Sequence, residues 1–142
     1  MKLLLAFEPP YDWPAMLGFL SARAIAGMEQ VVDGTYSRSI GLNGVHGTLS
    51  IKPATADSLE LTLDLPAASA IPEIVARLRR MFDLDADLIT MQRHLAFDPL
   101  LARLIAQHPG LRVPGTWDGL ELAIRAVLGQ QITVGAAIKL AG

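Results

Sequence analysis

The chain has 142 residues, of which 51% are hydrophobic and 18% charged, a balance that predicts a globular, core-forming protein rather than a disordered one. The formal net charge of −2 excludes a global attraction to nucleic acid or to an acidic membrane surface, so any contact with DNA must be local. Cysteine is absent, which excludes disulfides, a thiolate metal site and a thiol nucleophile.

The N-terminal MKLLLAFEPP begins like a secretion signal, but its apolar run ends at Glu8 after too few residues. No stretch reaches the roughly 20 apolar residues that a membrane span requires. We therefore expect no membrane partner and a cytoplasmic location, and we interpret KLLLAF as a strand.

Residues 1–84 combine strand and helix patterns. The segments with strand patterns are KLLLAF, EQVVDG, TYSRSIGL, VHGTLSIKPA and SLELTLDL. In the last one, Leu59, Leu61, Leu63 and Leu65 alternate with polar residues, which predicts one apolar face and one solvent-exposed face. Asn43-Gly44 lies between two of the strands and favours a tight hairpin turn, because both residue types tolerate positive φ angles.

Two helices are predicted to cover the apolar face of this sheet. The first spans about residues 13–26, with Asp12 as its N-cap and an apolar stripe formed by Met16, Leu17, Leu20 and Ala24. The second is IPEIVARLRRMFDL, with Pro72 and Glu73 in its first turn. Its predicted buried residues are Ile74, Val75, Leu78, Met81 and Phe82. The pattern predicts an α+β domain with an antiparallel sheet.

Residues 85–142 carry only helix patterns: DADLITMQRHLA, DPLLARLIAQHPG, DGLELAIRAVLGQ and TVGAAIKLAG. Asp98 and Asp118 are predicted N-caps, and Glu121, three residues after Asp118, predicts a capping box. Apolar residues keep helical spacing to the end, so we expect an incomplete all-helical domain. We expect self-association or a frayed tail, because part of the packing partner is missing for Ile124, Val127, Leu128, Ile132 and Ile138.

Few residues suggest chemistry. His46, His94 and His108 are scattered, and no pair has the spacing of metal ligands, so we predict neither a metal nor a cofactor. Arg77, Arg79 and Arg80 are interpreted as a solvated helix face. The segment RVPGTWDGLELA is similar to a helix-hairpin-helix turn, which holds a DNA phosphate, but it lacks the second glycine of that turn. We interpret this segment as a connector.

Four separated blocks resemble the N-terminal half of an AlkA-type DNA-3-methyladenine glycosylase II, in order and in spacing. They are PPYDWPAMLGFLSARAIAGME, YSRS, RMFDLDAD and HPGLRVPGTWDGLELAIRAVLGQQITVGAAIKL. The resemblance implies an α+β domain at residues 1–84 whose sheet is similar to half of the TATA-binding-protein fold. It also implies that residues 85–142 begin a helical glycosylase domain, cut before its helix-hairpin-helix and its catalytic aspartate.

Enzymes of this family flip an alkylated purine out of double-stranded DNA into an aromatic cleft and cleave its N-glycosidic bond by a monofunctional route. The resemblance therefore implies base excision repair of 3-methyladenine-type damage, with no catalytic residue in this chain and activity only together with the missing helical domain. The alternative is a non-catalytic DNA-binding or assembly module that uses the same fold.

The resemblance assigns two site elements. Phe19 corresponds to an aromatic residue at the cleft, although an aromatic side chain on a helix also commonly packs in the core. Gly129, Gln130 and Gln131 correspond to the loop that enters the minor groove and fills the gap left by the flipped base. The wedge position is Gln131, where well-known members carry leucine, and GQQ also fits an ordinary helix-ending turn.

Overall fold

The computed structural model describes all residues, Met1–Gly142. The strands are β1 (Lys2–Ala6), β2 (Glu29–Val32), β3 (Thr35–Leu42), β4 (Val45–Thr55) and β5 (Ser58–Asp64). The helices are α1 (Trp13–Ser21), α2 (Ile71–Met81), α3 (Leu88–Leu95), α4 (Pro99–Gln107), α5 (Gly119–Leu128) and α6 (Val134–Ala141). The predicted α+β architecture, an antiparallel sheet with two helices and a helical region after it, is confirmed.

The five strands form one antiparallel sheet in the order β1-β5-β4-β3-β2. The hairpin predicted at Asn43-Gly44 is confirmed, with φ angles of 51° and 78°. Asp33-Gly34, which the sequence pattern placed at the end of a strand, forms a second turn of this kind with φ angles of 48° and 74°. Both turns need two consecutive residues with positive φ, which Asp-Gly supplies as well as Asn-Gly.

One face of the sheet is buried beneath α1 and α2. Leu59, Leu61 and Leu63 are at most 2% exposed and belong to the same core as Ile74 and Leu78 of α2, so the predicted register is confirmed. Leu65 lies just beyond β5 and is half-buried against this core. The opposite face is polar, as predicted: a row of hydroxyl residues crosses the three central strands, formed by Ser37, Ser50 and Thr62.

Helix α1 is shorter than predicted, since it ends at Ser21 rather than near residue 26. The predicted N-cap is confirmed, because the Asp12 carboxylate accepts a hydrogen bond from the Ala15 N–H at 3.0 Å. At the other end, the Ile25 N–H donates to the Glu29 carboxylate at 3.2 Å, and so it cannot bond to the carbonyl one helical turn back. The α-helical pattern has already ended before Ile25, since the N–H groups of Arg23 and Ala24 donate to carbonyls three residues back, at Leu20 and Ser21.

The connector between α4 and α5 returns to the first core. Gly110 accepts a hydrogen bond from the Asp12 N–H at 2.8 Å, and the Gly115 N–H donates to the Met81 carbonyl at 2.9 Å. Arg112 is buried and donates to main-chain carbonyls at Glu8 and Asp83. Trp117 completes the core cluster. These contacts fix the point from which α5 starts.

The helical part has little core of its own. Leu88 is the only buried residue within α3, α4, α5 and α6. The predicted N-caps Asp98 and Asp118 are confirmed, because each carboxylate accepts two main-chain N–H bonds at the start of its helix. The domain boundary predicted at residue 84 stays a prediction, although Trp117 shows that the first core also uses residues far beyond it.

Gly115 allows the connector to approach the end of α2. A methyl group at this position would collide with the main chain of Arg80 and Met81, so we expect Gly115→Ala to lower the free energy of unfolding by about 1–3 kcal/mol. Gly18→Ala is the matched control, since no atom lies within 4 Å of its added methyl and alanine favours the helix by about 0.5–1 kcal/mol. Urea denaturation measures both, and an unchanged midpoint for Gly115→Ala would contradict this account.

Candidate functional site

A cavity of about 460 Å³ lies between α1, the connector and the helix pair α5–α6. Its walls are largely apolar and include Leu20, Pro114, Leu122 and Ile138. Apolar walls with a few polar groups are typical of sites that bind an organic ligand. The cavity is therefore a candidate site for an organic group.

Phe19 lies at this cavity and not in the core. Its side chain is 36% exposed, whereas the core residues of α1 are Trp13, Met16, Leu17 and Leu20. The Arg23 guanidinium lies over the ring, 3.9 Å from its centroid. The packing role that the sequence left open for Phe19 is thus not the one in the structure, and its contact with a base stays a prediction.

The predicted wedge loop joins α5 to α6 beside the same cavity. Gly129 caps the end of α5 and lines the cavity, while Gln130 and Gln131 are exposed. Gln131 has a φ angle of +63°, a left-handed conformation that costs a residue other than glycine about 1 kcal/mol. The structure therefore brings Phe19 and the start of the loop to one cavity, but it leaves the role of Gln131 untested.

Four charged side chains form a buried network where the cavity meets the sheet: Glu29, Arg38, Glu121 and Arg125, here called the four-charge cluster. Arg38 of β3 is 4% exposed and donates to Glu121 of α5 at 2.8 Å. Arg125 of α5 donates to Glu29 of β2 at 2.7 Å and to Glu121 at 2.6 Å. The two carboxylates and two guanidiniums balance, so the cluster avoids an unpaired buried charge.

The cluster shifts the pKa values of Glu29 and Arg125. Burial opposes ionisation of Glu29, but hydrogen bonds from Arg125 and Tyr36 outweigh it and hold the pKa of this carboxyl below its ordinary value. Burial likewise acts to lower the pKa of Arg125, yet its bonds to Glu29 and Glu121 raise it. Burial raises the pKa of Tyr36, whose hydroxyl donates to Glu29 at 2.7 Å. The Glu29 carboxyl is thus ionised and paired at neutral pH, rather than poised to act as a base, and the Glu121 carboxylate is bound by Arg38 and Arg125.

The sequence interpretation missed this cluster. Glu121 was predicted to complete a capping box with Asp118, but its carboxylate binds Arg38 and Arg125 instead, because these charges need a buried partner. One signal was present: Arg38 shares the inward face of β3 with Tyr36, Ile40 and Leu42. A charged residue inside an apolar alternation indicates a buried ion pair, although it does not identify the partner.

Other charged residues form pairs outside the cluster. Of the three arginines of α2, Arg77 binds Glu73 at 2.9 Å and Asp118 at 3.1 Å. Arg79 pairs with Asp85. No group of three or more histidine, aspartate or glutamate side chains is arranged to hold a metal ion. No helix is both long enough and apolar enough to cross a bilayer.

The shifted pKa of Glu29 makes the stability of the fold depend on pH. Because this pKa is below the ordinary value of 4.5, its ionic contribution is fully present above pH 4.5 and is lost as the pH falls through the folded-state pKa. We expect Glu29→Gln to lower the free energy of unfolding by about 1–3 kcal/mol at pH 7, with a difference from the wild type that shrinks below pH 4.5.

Chemical denaturation between pH 3 and pH 8 measures this difference. Glu60→Gln is the control, since Glu60 forms an exposed pair with Lys2 and its removal should change stability little. A difference between Glu29→Gln and the wild type that stayed constant down to pH 3 would contradict the assignment.

Comparison with known proteins identifies the family. The chain matches the AlkA N-terminal domain over residues 2–118. It is 38% identical over 137 residues to DNA-3-methyladenine glycosylase 2 of Escherichia coli K12, covering 96% of the chain and 46% of that protein. It is 37% identical over 142 residues to the probable bifunctional transcriptional activator/DNA repair enzyme AlkA of Mycobacterium tuberculosis, covering 100% of the chain and 28% of that protein.

A solved structure has the same fold. The 3-methyladenine DNA glycosylase from Archaeoglobus fulgidus superposes with a TM-score of 0.85 at 18% identity, over 98% of this chain and 48% of that one. The chain thus spans less than half the length of each of these relatives. The resemblance found in the four sequence blocks is confirmed, and the chain belongs to the AlkA N-terminal domain family.

Proposed function

We propose that residues 1–142 form the N-terminal part of a monofunctional DNA glycosylase that flips alkylated purines of the 3-methyladenine type out of duplex DNA and excises them. The observation that carries this proposal is the position of Phe19 and Gly129 on one apolar cavity. In this role Phe19 contributes an aromatic face to the base pocket, and the loop Gly129–Gln131 enters the space that the flipped base leaves.

The proposed division of labour follows from the charges. A cationic alkylated base is a good leaving group, so its excision mainly requires a base-shaped pocket and a carboxylate near the developing oxocarbenium ion. Glu29 and Glu121 are paired with arginines and are therefore unsuited to that task. We assign the catalytic carboxylate to a helical domain that follows this region in a longer protein.

The exposed helices support the same division. Leu120 is 71% exposed and Val127 is 65% exposed, and Ile124 and Leu140 are also in solvent. Monomeric proteins rarely leave such a patch uncovered, so we propose that the rest of the helical domain packs on α5 and α6. The 142-residue chain alone is then expected to bury this surface against a second copy or to fray at its end.

Sedimentation of the 142-residue chain at micromolar concentration tests the exposed face. Burial of each large apolar side chain stabilises the associated species by about 1.5–3 kcal/mol, so we expect a concentration-dependent dimer or larger species. Val127→Glu should weaken this association by placing a charge in the face. A monomer with slow amide exchange throughout residues 128–142 would contradict the prediction.

Base release from methylated DNA tests the function. The 142-residue chain alone should release no 3-methyladenine and should bind duplex weakly, because Asp118 and Glu121 balance Arg125 and Lys139 over residues 113–142 and leave no net charge for the phosphates. The longer protein should release the base. In that protein we expect Gln131→Ala to slow release from duplex by about 2- to 10-fold, the equivalent of one hydrogen bond.

Gln107→Ala on α4 is the matched control, since it removes an exposed glutamine from another helix end. Thermal melting should be nearly unchanged in both variants, because an exposed side chain contributes within about 0.5 kcal/mol to stability. Equal release by Gln131→Ala and the wild type would remove the wedge assignment. Release by the 142-residue chain itself would overturn the claim that the chemistry lies downstream. DNA binding without release by the longer protein would favour the non-catalytic module.

A further inference from the structure

Charges, not apolar packing, hold α5 against the sheet. No residue of α5 is buried, and its large apolar residues Leu120, Ile124 and Val127 point into solvent. The side chains that reach the sheet are Glu121 and Arg125, with side-chain exposures of 20% and 24%. Apolar contacts are non-directional, whereas hydrogen-bonded ion pairs require defined geometry. The rotation of α5 about its axis is therefore set by these two residues.

Arg125 joins α5 to two other parts of the fold. Its guanidinium donates to Glu29 of β2 at 2.7 Å and to the Arg23 carbonyl, just beyond α1, at 2.8 Å. It also binds Glu121 within α5 at 2.6 Å. Because the guanidinium is a rigid planar fork, contacts in three directions leave it little freedom.

Glu29 is the fixed end of this connection. Its carboxylate accepts hydrogen bonds from the Tyr36 hydroxyl at 2.7 Å and from the Ile25 N–H at 3.2 Å, in addition to the bond from Arg125. The Glu29 side chain is 6% exposed. The carboxylate is thus held in place by the sheet and by the turn after α1. Because it binds Arg125, the position of α5 depends on both.

The loop Gly129–Gln131 is joined to α5 by a hydrogen bond to Arg125. The Gly129 N–H donates to the Arg125 carbonyl at 2.9 Å, and a methyl group at Gly129 would lie 3.1 Å from the same oxygen. Gln131 follows in its left-handed conformation. No side-chain hydrogen bond holds Gln130 or Gln131 to the rest of the chain, so the end of α5 determines where this loop lies.

We propose that Glu29 is a positioning residue for the wedge loop: through Arg125 it fixes the rotation of α5 and so the place of Gln131 against DNA. This inference rests on the proposed function of the loop. Glu29 touches neither DNA nor the reacting atoms in this role. The loop is needed to open a paired, stacked base, but a single strand has no partner strand from which the base must be separated. Loss of Glu29 should therefore affect duplex substrates selectively.

The experiment compares base release from one methylated sequence as duplex and as single strand, in the longer protein that carries this chain. We expect Glu29→Gln to slow release from duplex by about 2- to 10-fold, no more than Gln131→Ala does, because it acts by misplacing that side chain. Release from the single strand should be unchanged. Arg125→Lys, which keeps the charge but loses the fork, should show the same selectivity.

Leu63→Ala is the control for stability, because Leu63 is buried in the sheet core and takes no part in the four-charge cluster. Below its melting temperature it should leave the ratio of duplex to single-strand release unchanged. If Glu29 acts through the wedge, Glu29→Gln should cause little further loss when Gln131→Ala is already present, since two changes in one pathway are not additive. Equal losses on both substrates, or additive losses in the double variant, would overturn the proposal.

Amide hydrogen exchange in the 142-residue chain supplies a readout that needs no activity. We expect Glu29→Gln to speed exchange at Ala126–Gln131 more than at the sheet. Leu63→Ala should not speed exchange at this segment more than at the sheet. Unchanged protection of 126–131 would overturn the positioning role whatever the activity. A longer wild-type protein that releases base from neither substrate would instead refute the proposed function, and faster exchange at 126–131 would still support the connection between Glu29 and the loop.

Discussion

The need to cover the apolar face of the five-stranded sheet determines the arrangement of everything else. Helices α1 and α2 cover most of that face, with Leu61, Ile74 and Leu78 fully buried between them. They do not cover one edge of that face, where the connector returns from α4 and inserts Trp117 into the same core. Because α5 starts two residues after Trp117, the requirement for a closed core also fixes where the second, helical part of the chain begins.

At this edge of the sheet face, the interior changes from apolar to charged side chains. Along the inward face of β3, Tyr36 and Ile40 are apolar contacts, but Arg38 between them meets carboxylates. The Trp117 ring lies near two guanidiniums, with its centroid 5.1 Å from that of Arg38 and 5.4 Å from that of Arg77. Buried ion pairs contribute little net stability because desolvation offsets their attraction, but a broken pair is costly. The four-charge cluster therefore selects one orientation of α5 more than it stabilises the fold.

This arrangement connects the sheet to the candidate site. The cavity lies where charges, rather than interlocking apolar side chains, join α5 to the sheet. Phe19 lines one wall and Gly129 another, so two elements separated by more than one hundred residues face a common space. In the proposed function, the α+β domain is then more than a stabilising attachment: it contributes an aromatic wall and sets the position of the loop that enters DNA.

Short-range patterns in the sequence were sufficient for much of the fold. The strand alternation around Leu61, the Asn43-Gly44 turn and the caps at Asp98 and Asp118 each depend on residues a few positions apart, and the structure contains all of them. The family was also recognisable from its four sequence blocks. The end of α1 at Ser21 was not predicted, because its apolar pattern continues to Ala24 and does not show where the last turn tightens.

For the candidate site, the resemblance named Phe19 and the loop Gly129–Gln131, but the sequence alone did not reveal that Phe19 lies outside the core or that both elements meet one cavity. The four-charge cluster was decided entirely by tertiary structure. Arg38 and Glu121 are 83 residues apart, and either could have faced solvent with no change in local pattern. Local propensities act over about one helical turn or one strand pair, whereas the partner of a buried charge depends on which distant surface the folded core brings to it.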